Sequence, residues 1–276
     1  MKARGFHWSR SNGISLLVPD FFAPFGLVGG YSTRCAEDGR PLDIDLRGGK
    51  DADQVLANRR LVTDAVGVEA DDVVFAQQVH GCGVALVTSA QRGRGARRHA
   101  DSIPAVDGLA TSSSGLPLAV MAADCPILLM SGEEGAAVAA VHSGRRGTLV
   151  DIAAAALSML CELSVPPGDV YASIGPAIGP CCYEVGEKVR RDFETAFPWA
   201  GDLFRISAGR LFFDLPGALK RQLVDAGVSP GRIFDCGLCT VCHGDLFYSY
   251  RREGGAAGRT AGIIAIAGRT PERSTA

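Results

Sequence analysis

No stretch of this 276-residue chain runs long enough without Asp, Arg or Pro to serve as a membrane span. The N-terminal MKARGFHWSRSNGISLLVPDFF lacks the unbroken apolar segment and the small-residue cleavage site of a secretory signal, so the cytoplasm is the expected compartment. An excess of one charge is missing too: 28 Lys and Arg face 30 Asp and Glu, for a formal net charge of −2. General attraction to nucleic acid or to an anionic membrane needs such an excess, so neither partner is expected and the substrate class narrows to small molecules. The chain also lacks a Pro/Ser-rich linker, an abrupt shift of composition and an internal repeat, which makes one domain over 1–276 the expectation. Nothing in the sequence assigns an oligomeric state. Histidine is scarce, with residues only at 7, 80, 99, 142 and 243.

Cysteine, by contrast, is plentiful and odd in number, at 35, 82, 125, 161, 181, 182, 236, 239 and 242. Without an export signal these are expected as thiols or ligands rather than as disulfides. Two apolar runs end near a metal-capable side chain. GLPLAVMAADCPILL (115–129) carries Cys125, and GAAVAAVHSGRRGT (135–148) carries His142 just before a Gly/Arg-rich turn. His80 follows a third such run, VVFAQQV (73–79). One thiolate and two imidazoles make three ligands for a tetrahedral ion such as zinc, with the fourth position open, as in catalytic sites. Beside Cys125, Pro126 ends regular pairing, and Asp124 would be costly to bury without a partner. The turn Ser143–Gly147 offers backbone N–H groups and the forked donors of Arg145 and Arg146 to an anion; arginines facing solvent weigh equally as its explanation.

The string CTVCH (239–243) reads mechanically as a haem-attachment signature, and with Cys236 as part of an iron–sulfur run. Covalent haem needs export, and an iron–sulfur run lacks its fourth cysteine at the usual spacing. Chance clustering is the expectation, with a structural zinc site as the alternative. The basic loop 88–104, with Arg92, Arg94, Arg97 and Arg98, is read as solvated rather than as a cover for an anionic ligand, and His99 within it as ordinary surface.

Periodicity predicts a strand from 26 into a loop and a helix over 50–67 whose Val55, Asn58, Arg59 and Val62 share a face, stopped by Gly67. A further helix is predicted over 148–163, and others over 187–197 and 219–227. Strands are predicted over 169–175, 210–215, 232–237, 247–252 and 261–268, with a disordered tail over 269–276. Several strand pairs are joined too briefly for parallel crossovers, so the expected class is α/β (α+β), a mixed sheet covered by helices.

In order along the chain, QQVHG (77–81), VDG (106–108), AADCP (122–126), HSGRRGT (142–148), IGPAIGPCCYEVG (174–186), FDL (213–215), CT (239–240), FYSYRR (247–252) and GRTAG (258–262) resemble the motifs of the YfiH/YlmD family. That family's members have been called laccase-domain proteins, polyphenol oxidases and purine nucleoside phosphorylases, and the resemblance spans about 25–268. It implies a YfiH-like fold with one zinc ion held by His80, Cys125 and His142, and with Arg59 as a contact for substrate or phosphate. The chain departs from the family pattern at Ser143 and Arg145, where Ala and Trp are usual, at Gly29, where His is frequent, and at Asp43 and Lys50. The loss of the aromatic at 145 puts the substrate pocket wall in question.

The resemblance implies phosphorolysis of adenosine, inosine and S-methyl-5′-thioadenosine to base and ribose-1-phosphate, together with deamination of adenosine. The partners are then purine nucleosides and phosphate. Arg59, Arg145, Arg146 and Ser143 are the expected substrate-binding residues, with Asp124 or a metal-bound water as alternatives for protonating the leaving base. Besides a non-catalytic zinc-stabilised module, which would need four protein ligands rather than three, two rival readings belong to other classes. One is a cysteine or zinc hydrolase editing peptidoglycan peptides, with Cys125 as nucleophile and His142 as base. The other is a copper-dependent polyphenol oxidase, for which five histidines are too few.

Overall fold

The middle of the chain is apolar at successive positions rather than at alternate ones, which requires strands covered on both faces. The computed structural model describes residues 3–268, so the tail expected to be disordered, 269–276, lies outside the described residues. In chain order the first strands are β1 (Phe6–Ser11), β2 (Ile14–Pro19), β3 (Leu27–Ser32), β4 (Val74–Phe75), β5 (Val84–Leu86), β6 (Gly108–Thr111) and β7 (Leu118–Ala122). They are followed by β8 (Ile127–Gly132), β9 (Val138–His142), β10 (Val170–Ile174), β11 (Phe204–Ser207), β12 (Arg210–Phe213), β13 (Ile233–Asp235) and β14 (Thr260–Ile266). The helices are α1 (Ala52–Val66), α2 (Arg145–Leu149), α3 (Ile152–Glu162), α4 (Glu187–Ala196), α5 (Leu215–Asp225) and the single turn α6 (Tyr250–Glu253).

Two six-stranded mixed sheets form, in the orders β1-β2-β3-β14-β7-β4 and β13-β10-β8-β9-β6-β5, which is the expected mixed-sheet core covered by helices. Most neighbours are antiparallel, and β4–β7, β5–β6 and β10–β13 are parallel. Side chains alternate across each strand, so one strand serves two cores. From β8, Ile127 and Leu129 join Leu17, Val120 and Ile264 between the sheets. Leu128 and Met130, one residue out of step, pack with Ile152, Ala156 and Leu160 of α3 and with Leu219 and Leu223 of α5. The opposite sheet turns Ala119, Met121 and Ile263 toward Val62 and Val66 of α1. The result is four layers, helix–sheet–sheet–helix. A satellite cluster of Phe193, Phe213 and Leu215 joins α4 to the β11–β12 hairpin.

Helix α1 starts at Asp51, whose carboxylate accepts from the N–H groups of Asp53 and Gln54, and stops at Gly67 in the left-handed conformation, φ 85°. The helix expected over 148–163 is broken. Asp151 turns left-handed at φ 57° and caps the Ala154 N–H, and so separates α2 from α3. The strand expected over 247–252 is absent too, because Ser249 caps the turn α6 through the Arg252 N–H. The basic loop 88–104 carries neutralised charges: Arg92 pairs with Asp72, Arg97 with Asp71 and Arg98 with Asp101.

Gly29 in β3 has φ 147°, and a β-carbon there would lie 2.1 Å from the Ile263 carbonyl oxygen on β14. The family's frequent His therefore has no room in this backbone. Gly29→Ala is expected to lower stability by roughly 1–3 kcal/mol, the cost of holding a side chain in a sparsely populated backbone region against a neighbouring strand. The measurement is the midpoint of thermal unfolding, and an unchanged midpoint would contradict this account.

Candidate metal centre and cleft

Strand pairing brings the expected ligands to one end of the sandwich. β8 and β9 are antiparallel with Ile127 opposite His142, which sets Cys125, two residues before Ile127, beside the end of β9. On the other sheet β4 runs parallel to β7, so the segment leading to His80 and the segment leading to Cys125 leave at the same end. Gln78 extends that pairing with its side chain, donating to the Met121 carbonyl at 2.7 Å and accepting from the Met121 N–H at 2.9 Å. The Cys125 Sγ and one ring nitrogen each of His80 and His142 all lie within 4.8 Å of one another. The imidazoles stand edge to face, 4.8 Å between centroids at 77°. His142 is buried, Cys125 half-buried and His80 exposed.

One buried carboxylate holds the set in place. Asp107 accepts the N–H groups of Val79, His80 and Gly81 at 3.2, 3.0 and 2.7 Å. It also accepts His142 Nδ1 at 2.8 Å. That contact directs Nδ1–H at the carboxylate and leaves Nε2 for an ion, the arrangement in which an outer carboxylate orients a ligating imidazole. Burial would raise the Asp107 carboxyl, but the bond to His142 and the Gly81 N–H hold it below the usual range. Burial would also raise the Cys125 thiol, yet His142 and His80 bring it down to about 6. Burial opposes protonation of His142, whereas Cys125 and Asp107 lift it to about 9. The two imidazoles thus favour the thiolate, the form of the sulfur that a metal requires.

The backbone is shaped to the same end. His80 and Asp124 both have positive φ, 61° and 88°. Asp124, buried as expected only with partners, accepts Thr240 Oγ1 at 2.5 Å and the Arg251 N–H at 2.6 Å. Both of its oxygens are engaged, which argues against Asp124 as a free proton donor. A β-carbon at Gly144 would meet His80 Nδ1 at 2.7 Å, Cys125 Sγ at 3.1 Å and His142 Cε1 at 3.3 Å. Glycine therefore keeps one side of the three donors clear. Nitrogen and sulfur donors, a carboxylate behind one imidazole and an open face toward a cleft fit zinc.

The cleft has a volume of about 480 Å³ and holds the three donor residues in its wall. Of the residues expected to bind substrate, Arg59, Ser143, Arg145 and Arg146, none lines it, whereas Asp124 does. Arg59 is buried; it donates to the carbonyls of Ile44 at 2.9 Å and of Gly95 and Ala96 at 2.7 Å, and stacks 3.9 Å from the Phe75 ring centroid. Burial brings its guanidinium down to about 10 against the pull of Asp45 and Asp43. It joins two loops through these bonds. Ser143 is buried against Thr148 at 2.8 Å, Arg145 is half-buried and Arg146 exposed.

Cations that the sequence reading did not assign to substrate line the cleft instead: Arg47, Lys50, Arg251 and Arg259. Arg47 forks onto Asp45 at 2.8 and 3.0 Å, and Lys50 pairs with Asp43. The guanidiniums of Arg251 and Arg259 donate only to backbone carbonyls, that of Arg251 also lies over the Tyr183 ring at 5.4 Å from its centroid, and among the described residues neither has a carboxylate partner. Both stand in motifs quoted for the family resemblance, FYSYRR and GRTAG, which was the available signal. The phenol rings in the lining are those of Tyr183 and Tyr250, and Arg145, where the family pattern has Trp, is not among the lining residues.

Residues 28–267 match the family model described as multi-copper polyphenol oxidoreductase laccase. Purine nucleoside phosphorylase YlmD of Geobacillus stearothermophilus is 34% identical over 261 residues, 90% of this chain and 93% of that protein. Adenosine deaminase RL5, from an unknown prokaryotic organism, is 34% identical over 215 residues, 77% of this chain and 82% of its own length. The crystal structure of YlmD from Geobacillus stearothermophilus superposes with a TM-score of 0.87 at 33% identity, over 95% of this chain and 99% of that one. The hypothetical protein YfiH of Bacillus licheniformis gives 0.86 at 30% identity, over the same shares.

Two substitutions test the geometry. Asp107→Asn is expected to weaken metal binding roughly 10–100-fold, the usual effect of removing such an outer partner, read by competition with a chromophoric chelator. Gly144→Ala is expected to weaken it as well, with the circular dichroism spectrum unchanged, because its methyl displaces ligand atoms and no core residue. Wild-type affinity in both variants would rule out this account of the centre.

Proposed function

The chain belongs to the laccase-domain family of YfiH-like proteins, and on that premise we propose that it is a zinc-dependent enzyme of purine nucleosides. It cleaves adenosine, inosine and S-methyl-5′-thioadenosine with phosphate and deaminates adenosine. The observation that carries this reading is a trio of His, Cys and His donors in the wall of a cleft that also holds two arginines free of acidic partners. His80, Cys125 and His142 would hold the ion, which supplies Lewis acidity at the wall of the cleft.

The rest of the chemistry falls to side chains. In phosphorolysis a phosphate oxygen bonds to C1′ of the ribose while the glycosidic bond breaks. The purine leaves with that electron pair and takes up a proton. Arg251 and Arg259 have guanidinium forks suited to phosphate and no carboxylate to compete for them. Arg47 and Lys50 add positive potential that Asp45 and Asp43 partly offset. Tyr183 and Tyr250 offer aromatic faces to a purine. Deamination needs water and no phosphate, so the two activities make different demands on the arginines.

One observation favours a second reading. Cys125, His142 and Asp107 also stand in the order nucleophile, base and orienting carboxylate, as a thiol hydrolase acting on peptides requires. The two readings respond oppositely to chelation. A copper oxidase has little support from the site, which brings together only two of the five histidines.

The expected result is release of hypoxanthine from inosine and phosphate, lost on treatment with a strong chelator and restored by zinc. Arg259→Ala is expected to raise KM for phosphate roughly 10–100-fold, as the loss of a hydrogen bond to a charged group implies, and to change adenosine deamination far less. Chelation that leaves nucleoside cleavage intact, or that unmasks peptide hydrolysis and rapid alkylation of Cys125, would transfer the assignment to the thiol hydrolase.

A further inference from the structure

The cysteines that the sequence left as chance clustering acquire their missing partners from another part of the chain. Cys239 and Cys242 meet Cys181 and Cys182, and the four Sγ atoms all lie within 4.8 Å of one another. Cys242 Sγ is 3.6 Å from Cys181 Sγ and 3.5 Å from Cys182 Sγ. All four are free thiols. Cys236, grouped with them by spacing, belongs elsewhere: it is buried in the core between the sheets. The cluster is separate from the His80–Cys125–His142 centre and shares no residue with it.

Backbone bonds build this arrangement. Ala177 pairs with Cys239, and the Thr240 N–H donates to the Ala177 carbonyl at 3.0 Å. In the turn that follows, the N–H groups of Cys182 and Tyr183 both donate to the Gly179 carbonyl at 3.0 Å, which brings adjacent cysteines around to one side. On the other segment the His243 N–H closes onto the Cys239 carbonyl at 2.9 Å. Gly179 donates its N–H to Cys239 Sγ at 3.3 Å, and a β-carbon on it would lie 3.4 Å from Cys181 Sγ. Arg205 and Arg251 donate to the Pro180 and Cys182 carbonyls, so two guanidiniums stand beside a cluster that becomes anionic once its thiols ionise.

We propose that Cys181, Cys182, Cys239 and Cys242 form a second metal site, a closed tetrathiolate site for one zinc ion. Four sulfurs at about 2.3 Å from one ion lie about 3.8 Å apart at the corners of a tetrahedron. The two measured separations fall slightly inside that edge, and the remaining ones stay within reach of it. A multi-iron cluster would need the sulfurs spread more widely. Four protein ligands leave no position for substrate, so the ion has a structural role. On binding, the thiols release their protons to solvent and no electron is transferred. The ion would staple residues 177–183 to residues 238–243. The first segment supplies Ile178 and Tyr183 to the cleft, and the second carries Thr240, the partner of Asp124. The site thereby fixes the cleft wall beside Cys125 without contacting a ligand there.

The test is elemental analysis of the full chain, purified anaerobically under reducing conditions without added metal chelator, with the unfolding midpoint recorded for each protein. Wild type is expected to hold about two zinc ions per chain, one for each donor group. Cys239→Ser/Cys242→Ser and the milder single variant Cys181→Ser should each lose about one and keep the other. Cobalt loaded into Cys125→Ala should give an intense tetrahedral thiolate spectrum that disappears when Cys242→Ser is added. Wild type with one ion per chain that Cys125→Ala loses and Cys181→Ser keeps overturns the proposal, whereas one ion with the opposite pattern counts against the His80–Cys125–His142 centre alone. The proposal is also overturned by a double variant that keeps the wild-type zinc content, or by a titration of denatured wild type in which two of these thiols are already consumed as a disulfide.

Discussion

The carboxylate of Asp107 is the constraint around which the centre is assembled. A buried carboxylate without partners would be expensive in so dry a place, and this one is satisfied by three successive backbone N–H groups and by an imidazole. Those bonds do two things at once. They curl the chain at Val79–Gly81 so that His80 can adopt a positive φ, and they choose which nitrogen of His142 faces the cleft. Because His80 leaves one sheet and His142 ends the other, the same carboxylate also ties the two sheets together where the cleft opens.

A second carboxylate, next to Cys125 in the chain, plays a matching part. Asp124, held at φ 88°, collects a hydroxyl from Thr240 and an amide from Arg251, residues more than a hundred positions away. The two acids thus set the direction from which the thiolate is presented. Gly144 completes the enclosure by withholding a side chain. Each device is local and inexpensive in residues, yet none has meaning outside the four-layer stack that brings the strand ends together.

Arginine shows how burial sorts one residue type into different tasks. Arg59 satisfies three carbonyls and lies over Phe75, so it acts as a strut between loops. Arg92, Arg97 and Arg98 are matched to surface carboxylates. Arg251 and Arg259 have no carboxylate partner among the described residues and line the cleft, where an anion would meet uncompensated charge. Sequence proximity to the ligands pointed to Arg145 and Arg146, but α2 carries them out of the lining.

Much of the framework was legible in the sequence because local physics writes it there. Apolar runs gave the doubly covered strands, Gly67 ended α1, and Cys125, His80 and His142 stood at strand ends that pairing could unite. The N-terminal β1–β2 hairpin was equally legible, through Asn12–Gly13 with φ of 51° and 75°, although no strand was predicted there. Other features could be decided only by tertiary structure. Whether Arg59 met a ligand or a carbonyl, whether Ser249 capped a turn or paired in a strand, and which cysteines joined Cys239 and Cys242 all depend on neighbours distant in sequence. Periodicity and capping act within a few residues and are encoded in order; a hydrogen-bond partner or a fourth thiol is chosen by packing, which no local pattern carries.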